Sequence, residues 1–496
     1  VTESMRIRRK RHGLLLLACG AALIPVQLSA QDRVASPPAA NLTERVRAVL
    51  DQPELTGTSW GIIVEDEAGR TIVSIAPTGR FVPASNTKIF ATTAAFEQIA
   101  SGAFRNQGTE IRLEGKSRRP DIVLVGKGDA MLQDTPSCKT DCLVQLADAV
   151  VAAKLRSVGA VIGDDTLFPD ERFVAARQLR PSRTVTSALT INDNMATITI
   201  TPAEATQRPT VASTDLEPEY RIENQLITGA AGSESSIQVE AVPNTRTLRL
   251  FGSVPAGAAI EHKLPIEDPA DFAAMRLKRL LEQRGVRVTG GFRARHRPMQ
   301  SGDLAMGAYA ADAAKPLATL APPPIIEDLT IVSKISQNLH SGLLTKKTAL
   351  ALGASGSTPN GIEAMNLMLD RAGVPRSSYT FYDGWGSSAD NRVTPKWVVH
   401  FLKWTQRQSW GAEWKTTLPV AGVDGTLSER FKGTLLQGRL HAKTGTIQGV
   451  NGLAGFMTSK SGKQLIFSVY ANDRPITVPT ATGAMDAALV LIAEAN

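Results

Sequence analysis

Several things are scarce in this chain, and each scarcity closes off a class of function. Its 496 residues hold three cysteines and six histidines. None of them stand at metal-ligand spacing, so neither a zinc site nor any other cofactor is expected. Aromatic residues make up only 5%, and no lysine–arginine cluster past the first residues interleaves with them, so no nucleic-acid partner is expected. No segment recurs at a fixed period, which excludes a solenoid. The apolar run "GLLLLACGAALIPV" is too short to span a bilayer comfortably.

That run has another reading. "MRIRRKRH" in front of it supplies a basic region, and "QLSA" behind it offers a small-residue cleavage site after Ala30. Residues 1–30 are therefore expected to be a signal peptide. Cys19, in "LLAC", is a looser, lipoprotein-type alternative. Removing residues 1–30 takes five basic side chains and one acid from a formal charge of +8 and leaves +4. Much of the basicity thus belongs to the export signal. The rest of the chain is expected in the periplasm or another extracytoplasmic space, with peripheral membrane association left open. There, Cys138 and Cys142 in "SCKTDCL" can close a small local disulfide, the alternative being two thiols that lie close together.

The chain is long enough for two or three domains, and 43% apolar residues are ample for packed cores. Near the start, "SWGIIVED" and "RTIVSIAP" flank "EAG" as an antiparallel hairpin would. Ser85 to Ala100 has a helical pattern, with Ile89, Phe96 and Ile99 at helical spacing. At the other end "GLAGFMTS" and "KQLIFSVYAN" form a second hairpin, and "TATGAMDAALVLIAEA" a closing helix. Strand pairs at both termini suggest one antiparallel sheet built from distant pieces of chain. Between about 105 and 309 the pattern changes to short β-rich runs such as "DIVLVGKGD", "GAVIGDDTLF" and "TRTLRLFGSVP", which read as separate inserted β-rich domains.

Three short motifs carry chemistry. In "PASNTKIF", Ser85 and Lys88 stand three apart and share one face of a helix, so the amine can reach the hydroxyl. On these residues alone, a helix-capping serine beside a solvated lysine is the stronger reading. As a base, Lys88 needs its pKa lowered by about 3 units from an ordinary value near 10.4; burial and a neighbouring cation are the expected means. Ser336-Gln337-Asn338 and Lys443-Thr444-Gly445-Thr446 follow. S-x-x-K, S-x-N and K-T-G each occur once, in that order, and the ordered set is the one used by penicillin-binding proteins and related β-lactamases.

Their expected roles interlock. Ser85 attacks and Lys88 takes its proton; Ser336 relays a proton to a leaving amine; Asn338 binds a substrate amide and holds Lys88. Lys443 supplies the second cation, and Thr444 and Thr446 offer hydroxyls to a substrate carboxylate. Gly445 lets another backbone approach the edge strand. The N–H groups of Ser85 and Thr446 form an oxyanion hole.

At this point the sequence closely resembles the class C low-molecular-mass penicillin-binding proteins, the exported D-alanyl-D-alanine carboxypeptidase/endopeptidase family. "LPVAGVDGTLSERF", "LVGKGDAML", "VIGDDTLF", "LTINDN" and "YDGWGSS" carry the likeness across most of the chain. The resemblance implies an α/β fold: a transpeptidase/β-lactamase-like domain (31–104 and 310–496), an antiparallel sheet flanked by helices, with β-rich domains (105–309) inserted. It implies cleavage between two D-alanines of a peptidoglycan stem peptide through an acyl-enzyme on Ser85, cleavage of D-amino-acid cross-links, and inhibition by β-lactam antibiotics. Two residues depart from the family pattern: Trp385 stands where a Ser is usual in "YDGWGSS", and Gln337 where Asp is common in S-x-N. Both are expected to bear on substrate preference. A serine β-lactamase and an inactive wall-binding homologue are the alternatives. His340 and His441, near the second and third motifs, are expected to pack beside the cleft.

Overall fold

Strands from the two ends of the chain lie side by side. A computed structural model describes residues 41–171, 185–242, 245–306 and 315–496; the expected signal peptide and Cys19 lie outside them. The first elements are helix α1 (Leu42–Leu50), strands β1 (Ser59–Asp66) and β2 (Thr71–Ile75), and helix α2 (Lys88–Ala100). The last are β16 (Leu440–Ile447), β17 (Val450–Thr458), β18 (Gln464–Asn472) and the closing helix. They form one antiparallel sheet in the order β16-β17-β18-β1-β2, with Ile62 opposite Val469 across the join.

The sheet is buried on both faces, which is why its strands read as nearly continuous apolar runs. Alternate residues serve alternate cores. Ile62, Val64, Phe467 and Val469 pack with α1 and the closing helix, while Ile63, Phe456, Ile466 and Tyr470 pack with α2 and the helices around it. β16 is an edge strand, and its first half is covered from outside by Pro419–Ala421. Ala442 N donates to Pro419 O at 3.0 Å and Ala421 N to Leu440 O at 2.9 Å.

The middle of the chain has its own core. Strands β3 (Glu110–Glu114), β4 (Asp121–Val125), β6 (Val161–Pro169), β14 (Phe292–Arg297) and β15 (Ala318–Thr319) form a mixed sheet in the order β14-β6-β4-β3-β15. Next to it, β5 (Ser157–Val158) pairs with β13 (Arg287–Val288). β7 (Met195–Thr201), β8 (Thr210–Ala212) and β12 (Ile260–Pro265) form one three-stranded sheet. β9 (Arg221–Gly229), β10 (Gln238–Val242) and β11 (Thr247–Pro255) form another.

Among the described residues, two helices pack into this core, α3 (Leu143–Ala152) and α4 (Pro269–Gln283). Neither was anticipated by the β-rich reading. α4 carries a standard start signal: the Asp268 side chain accepts from Asp271 N, with Pro269 at the first helical position. β15 lies past residue 309 and still pairs with β3, so the mixed sheet takes its last strand from the segment leading back to the terminal sheet. Cys138 and Cys142 are joined by a disulfide just ahead of α3.

The chain then returns through α5 (Ile325–Lys334), α6 (Asn338–Ala351), α7 (Thr358–Arg371), α8 (Pro395–Gln406) and α9 (Gly411–Thr416) to β16, and ends in α10 (Thr482–Glu494). α6 is the hinge of the architecture. It packs against α2, and its buried polar residues reach into the middle of the chain: His340 to Asp193, Lys346 to Glu171 and Lys347 to Asn106.

Candidate active site

Ser85 lies in a 3-10 turn, Ala84–Thr87, that runs directly into α2. Its side chain caps no helix. The turn is held against the terminal sheet by Asn86, whose Nδ2 donates to Lys443 O at 2.9 Å and whose Oδ1 accepts from Tyr470 Oη at 3.4 Å. Gly445 makes this fit possible: a Cβ there would lie 2.4 Å from Pro83 O. The close neighbour is thus the serine turn, and the need for a small residue comes from inside the protein as well as from the open edge.

Lys88 is fully buried at the first position of α2. Its Nζ donates to Ser85 Oγ at 2.9 Å, to Asn338 Oδ1 at 2.6 Å and to the carbonyl oxygen of Trp385 at 2.6 Å. Three acceptors satisfy an ammonium. When the amine is neutral, two N–H groups remain for Asn338 and Trp385, and the lone pair is left facing the Ser85 hydroxyl.

Burial lowers the Lys88 pKa to about 7, against the pull of the Asp383 carboxylate. Of the two expected means, burial and a neighbouring cation, burial is the dominant one. Burial and the charge of Lys88 together lower Lys443 well below the ordinary lysine range. Repulsion is mutual, so the pair holds a second proton less tightly than the first.

Asn338 opens α6, and Ser336 precedes it with φ at 62°. Gln337, the residue that departs from the family pattern, caps that helix: its side chain accepts from Leu339 N at 3.1 Å. Ser336 Oγ accepts from Lys443 Nζ at 3.0 Å. No hydrogen bond joins Ser336 to Lys88, so the relay expected between them is not preformed.

Lys443 reaches inward from β16, with its Nζ also on Thr444 O at 3.0 Å. Thr444 Oγ1 is 2.7 Å from Thr426 Oγ1, and Thr446 Oγ1 accepts from Asn451 Nδ2 at 3.3 Å. The expected residues of all three motifs therefore come together, with Ser85, Lys88 and Asn338 directly bonded and Ser336, Lys443 and Thr444 as a second bonded group.

The loop 383–388 lies against the serine turn, and its backbone contact to Lys88 was not anticipated from the sequence. Asp383 organises it by accepting from Trp385 N (3.1 Å), Gly386 N (2.5 Å) and Ser388 N (2.6 Å). Gly386, at φ +84°, presses on the serine turn; a Cβ would lie 1.9 Å from Ala84 O. Trp385 contributes its backbone carbonyl, so its side-chain identity leaves the bond to Lys88 intact.

Neither His340 nor His441 makes a hydrogen bond to Lys88 or Lys443. His340 is clamped between Asp328 (2.6 Å) and Asp193 (2.8 Å), whose carboxylates raise it to about 9 despite the opposing effect of burial. His441 has a buried Nδ1 without a partner, and burial lowers its pKa.

The family model for D-Ala-D-Ala carboxypeptidase 3 (S13) matches residues 42–495. The chain belongs to that family. Among its relatives, a D-alanyl-D-alanine carboxypeptidase of Actinomadura sp. (strain R39) is 31% identical over 500 residues, 95% of this chain and 89% of that protein. A penicillin-sensitive carboxypeptidase A of Dictyostelium discoideum is 25% identical over 458 residues, 84% of each chain. The same fold is found in penicillin binding protein 4 of Haemophilus influenzae. Its crystal structure aligns with a TM-score of 0.75 at 20% identity, over 92% of this chain and 98% of that one. A further crystal structure of that protein, complexed with a β-lactam, aligns with a TM-score of 0.71.

Proposed function

We propose that this S13 family member is an extracytoplasmic serine DD-peptidase that releases the terminal D-alanine of peptidoglycan stem peptides, with Ser85 as nucleophile. The observation that carries the reading is the bond from Lys88 Nζ to Ser85 Oγ at 2.9 Å, made by a buried amine anchored through its other N–H groups. An amine with a pKa near 7 is neutral often enough at physiological pH to act as a base.

Ser85 Oγ bonds to the carbonyl carbon between the two D-alanines as its proton passes to Lys88 Nζ. The N–H groups of Ser85 and Thr446 hold the resulting oxyanion. The C–N bond then breaks, and Ser336, held by Lys443, offers the hydroxyl through which a proton reaches the leaving nitrogen. Water hydrolyses the acyl-enzyme and restores the serine. Asn338 binds a substrate amide, Thr444 and Thr446 meet the carboxylate, and Gly445 keeps the strand close to the serine turn.

The edge of β16 supports this placement. Pro419–Ala421 occupies residues 440–442, and Thr444 and Thr446, two and four residues on, present backbone groups along the same open edge. An extended stem peptide can pair there, and a β-lactam can acylate Ser85 in the same position. Where the leaving amine belongs to a second stem peptide, the same steps cleave a cross-link. We read 105–309 as inserted accessory domains and 1–30 as the export signal.

Labelling with a fluorescent penicillin, together with D-alanine release from pentapeptide and from cross-linked muropeptide, tests the assignment. The wild type is expected to carry a persistent label and release D-alanine, and Ser85→Ala to do neither. A label that turns over quickly points to a β-lactamase, and a label retained by Ser85→Ala refutes the nucleophile.

A further inference from the structure

The open edge of β16 ends at a wall. After Pro419–Ala421 the chain turns back at 422–427, with Gly422 N donating to Leu427 O at 2.9 Å. Asp424 locks the turn by accepting from Val420 N at 2.9 Å and from Lys334 Nζ at 2.6 Å. Gly425, at φ +57°, lies so close to α5 that a Cβ would stand 2.5 Å from Lys334 O. The turn is thereby fixed to the segment that leads into Ser336. It delivers one polar side chain to the edge strand, Thr426, with Oγ1 2.7 Å from Thr444 Oγ1.

Resting on the DD-peptidase reading above, we propose that the 422–427 turn is the end wall of the substrate groove and that Thr426 is a positioning residue for recognition of the substrate's terminal carboxylate. A peptide paired antiparallel to β16 runs from Ile447 toward Thr444, so its C-terminus meets the wall. Two facing hydroxyls own two protons and share one mutual hydrogen bond, which leaves one proton to donate elsewhere.

A carboxylate in front of Thr444 selects the arrangement in which Thr426 donates to Thr444 and Thr444 donates to the anion. Such a charge-assisted bond is about twice as strong as a neutral one, and the chain of two hydroxyls reinforces it. Lys443, anchored on Ser336 Oγ and Thr444 O behind the pair, supplies the field that draws the anion in.

The test compares wild type, Thr426→Val and Thr426→Ser on a diacylated tripeptide ending in D-Ala-D-Ala and on the same peptide as its C-terminal amide. Thr426→Val is expected to lose about tenfold in kcat/KM on the acid, as a rise in KM with kcat kept. On the amide it should lose less than about threefold. Thr426→Ser is expected to stay within about twofold of wild type on both.

Thr426 is exposed, so the melting temperature of the variants should match that of the wild type. Equal losses on acid and amide, or an unchanged KM for the acid in Thr426→Val, overturn the inference while leaving the nucleophile assignment intact. A wild type that cleaves neither peptide overturns the functional reading itself, and this inference with it.

Discussion

The rate at which penicillin acylates Ser85 should change with pH around 7, and the size of the change follows from the burial of Lys88. Its pKa falls from 10.5 to about 7. At about 1.4 kcal/mol per unit this corresponds to roughly 5 kcal/mol of lost preference for the ammonium. At pH 7 about half of the molecules then carry a neutral amine, against about one in three thousand for an ordinary lysine.

The base is therefore available roughly a thousandfold more often than it would be on a solvated side chain. Stopped-flow acylation by a fluorescent penicillin between pH 5 and 9.5 reads this directly. The second-order rate should rise tenfold per unit below the inflection and level off above it. Because Lys88 and Lys443 share one buried site, the inflection belongs to the pair. Lys88→Arg keeps a permanent charge at the same place and should lower the rate by at least about a thousandfold at pH 7. A profile that is flat from pH 5 to 9.5, or that inflects above 9, refutes the argument that burial makes Lys88 the base.

Two other perturbations bear on how the site is held. In Gly445→Ala the new Cβ must displace backbone at Pro83, so urea unfolding should show a loss of about 1–3 kcal/mol and penicillin labelling should slow markedly. In His340→Gln the clamp between Asp328 and Asp193 loses its charge. The folded pKa of His340 is raised from 6.5 to about 9, so its contribution is fully present below 6.5 and disappears as pH rises through 9. The stability gap between wild type and variant, about 3 kcal/mol from that shift, should be constant below pH 6.5 and close between 6.5 and 9; a gap that widens with pH refutes it.

The ends of the chain were legible because two-sided burial leaves a plain signature: β1, β17 and β18 are runs of apolar residues bounded by turns. The motif residues were legible because S-x-x-K, S-x-N and K-T-G each occur once in the chain, in that order. The helices of the middle region were not read. α3, "LVQLADAVVA", is apolar nearly all round and lacks a side-chain cap, so its pattern is that of a buried strand as much as of a helix. α4 did announce itself through Asp268 and Pro269, and a reading tuned to strands passed over it.

In the site, the Trp385 carbonyl has no side-chain signature at all, since any residue can supply a backbone acceptor. The role of Gln337 as a helix cap depends on where the helix begins, which the S-x-N spacing does not give. The size of the Lys88 shift was not legible for a similar reason: sequence names the neighbouring charge, but only packing reveals how completely water is excluded.

The order of strands in the terminal sheet sets a schedule for the molecule's own assembly. β1, some twenty residues before Ser85, has β18 as its partner, and β18 and β17 stand between it and the strand that carries Lys443. Contacts spanning about 400 residues form late, because a long loop must close before they can. The middle sheets, whose partners are closer in sequence, have no such wait. Until the last strands are in place the serine turn has no β16 against which to rest, and Lys443 has no seat. A chain still emerging, or one cut short before residue 464, therefore carries Ser85 and Lys88 without the surroundings that make them reactive. The hydrolytic machinery becomes complete only when β18 has joined β1.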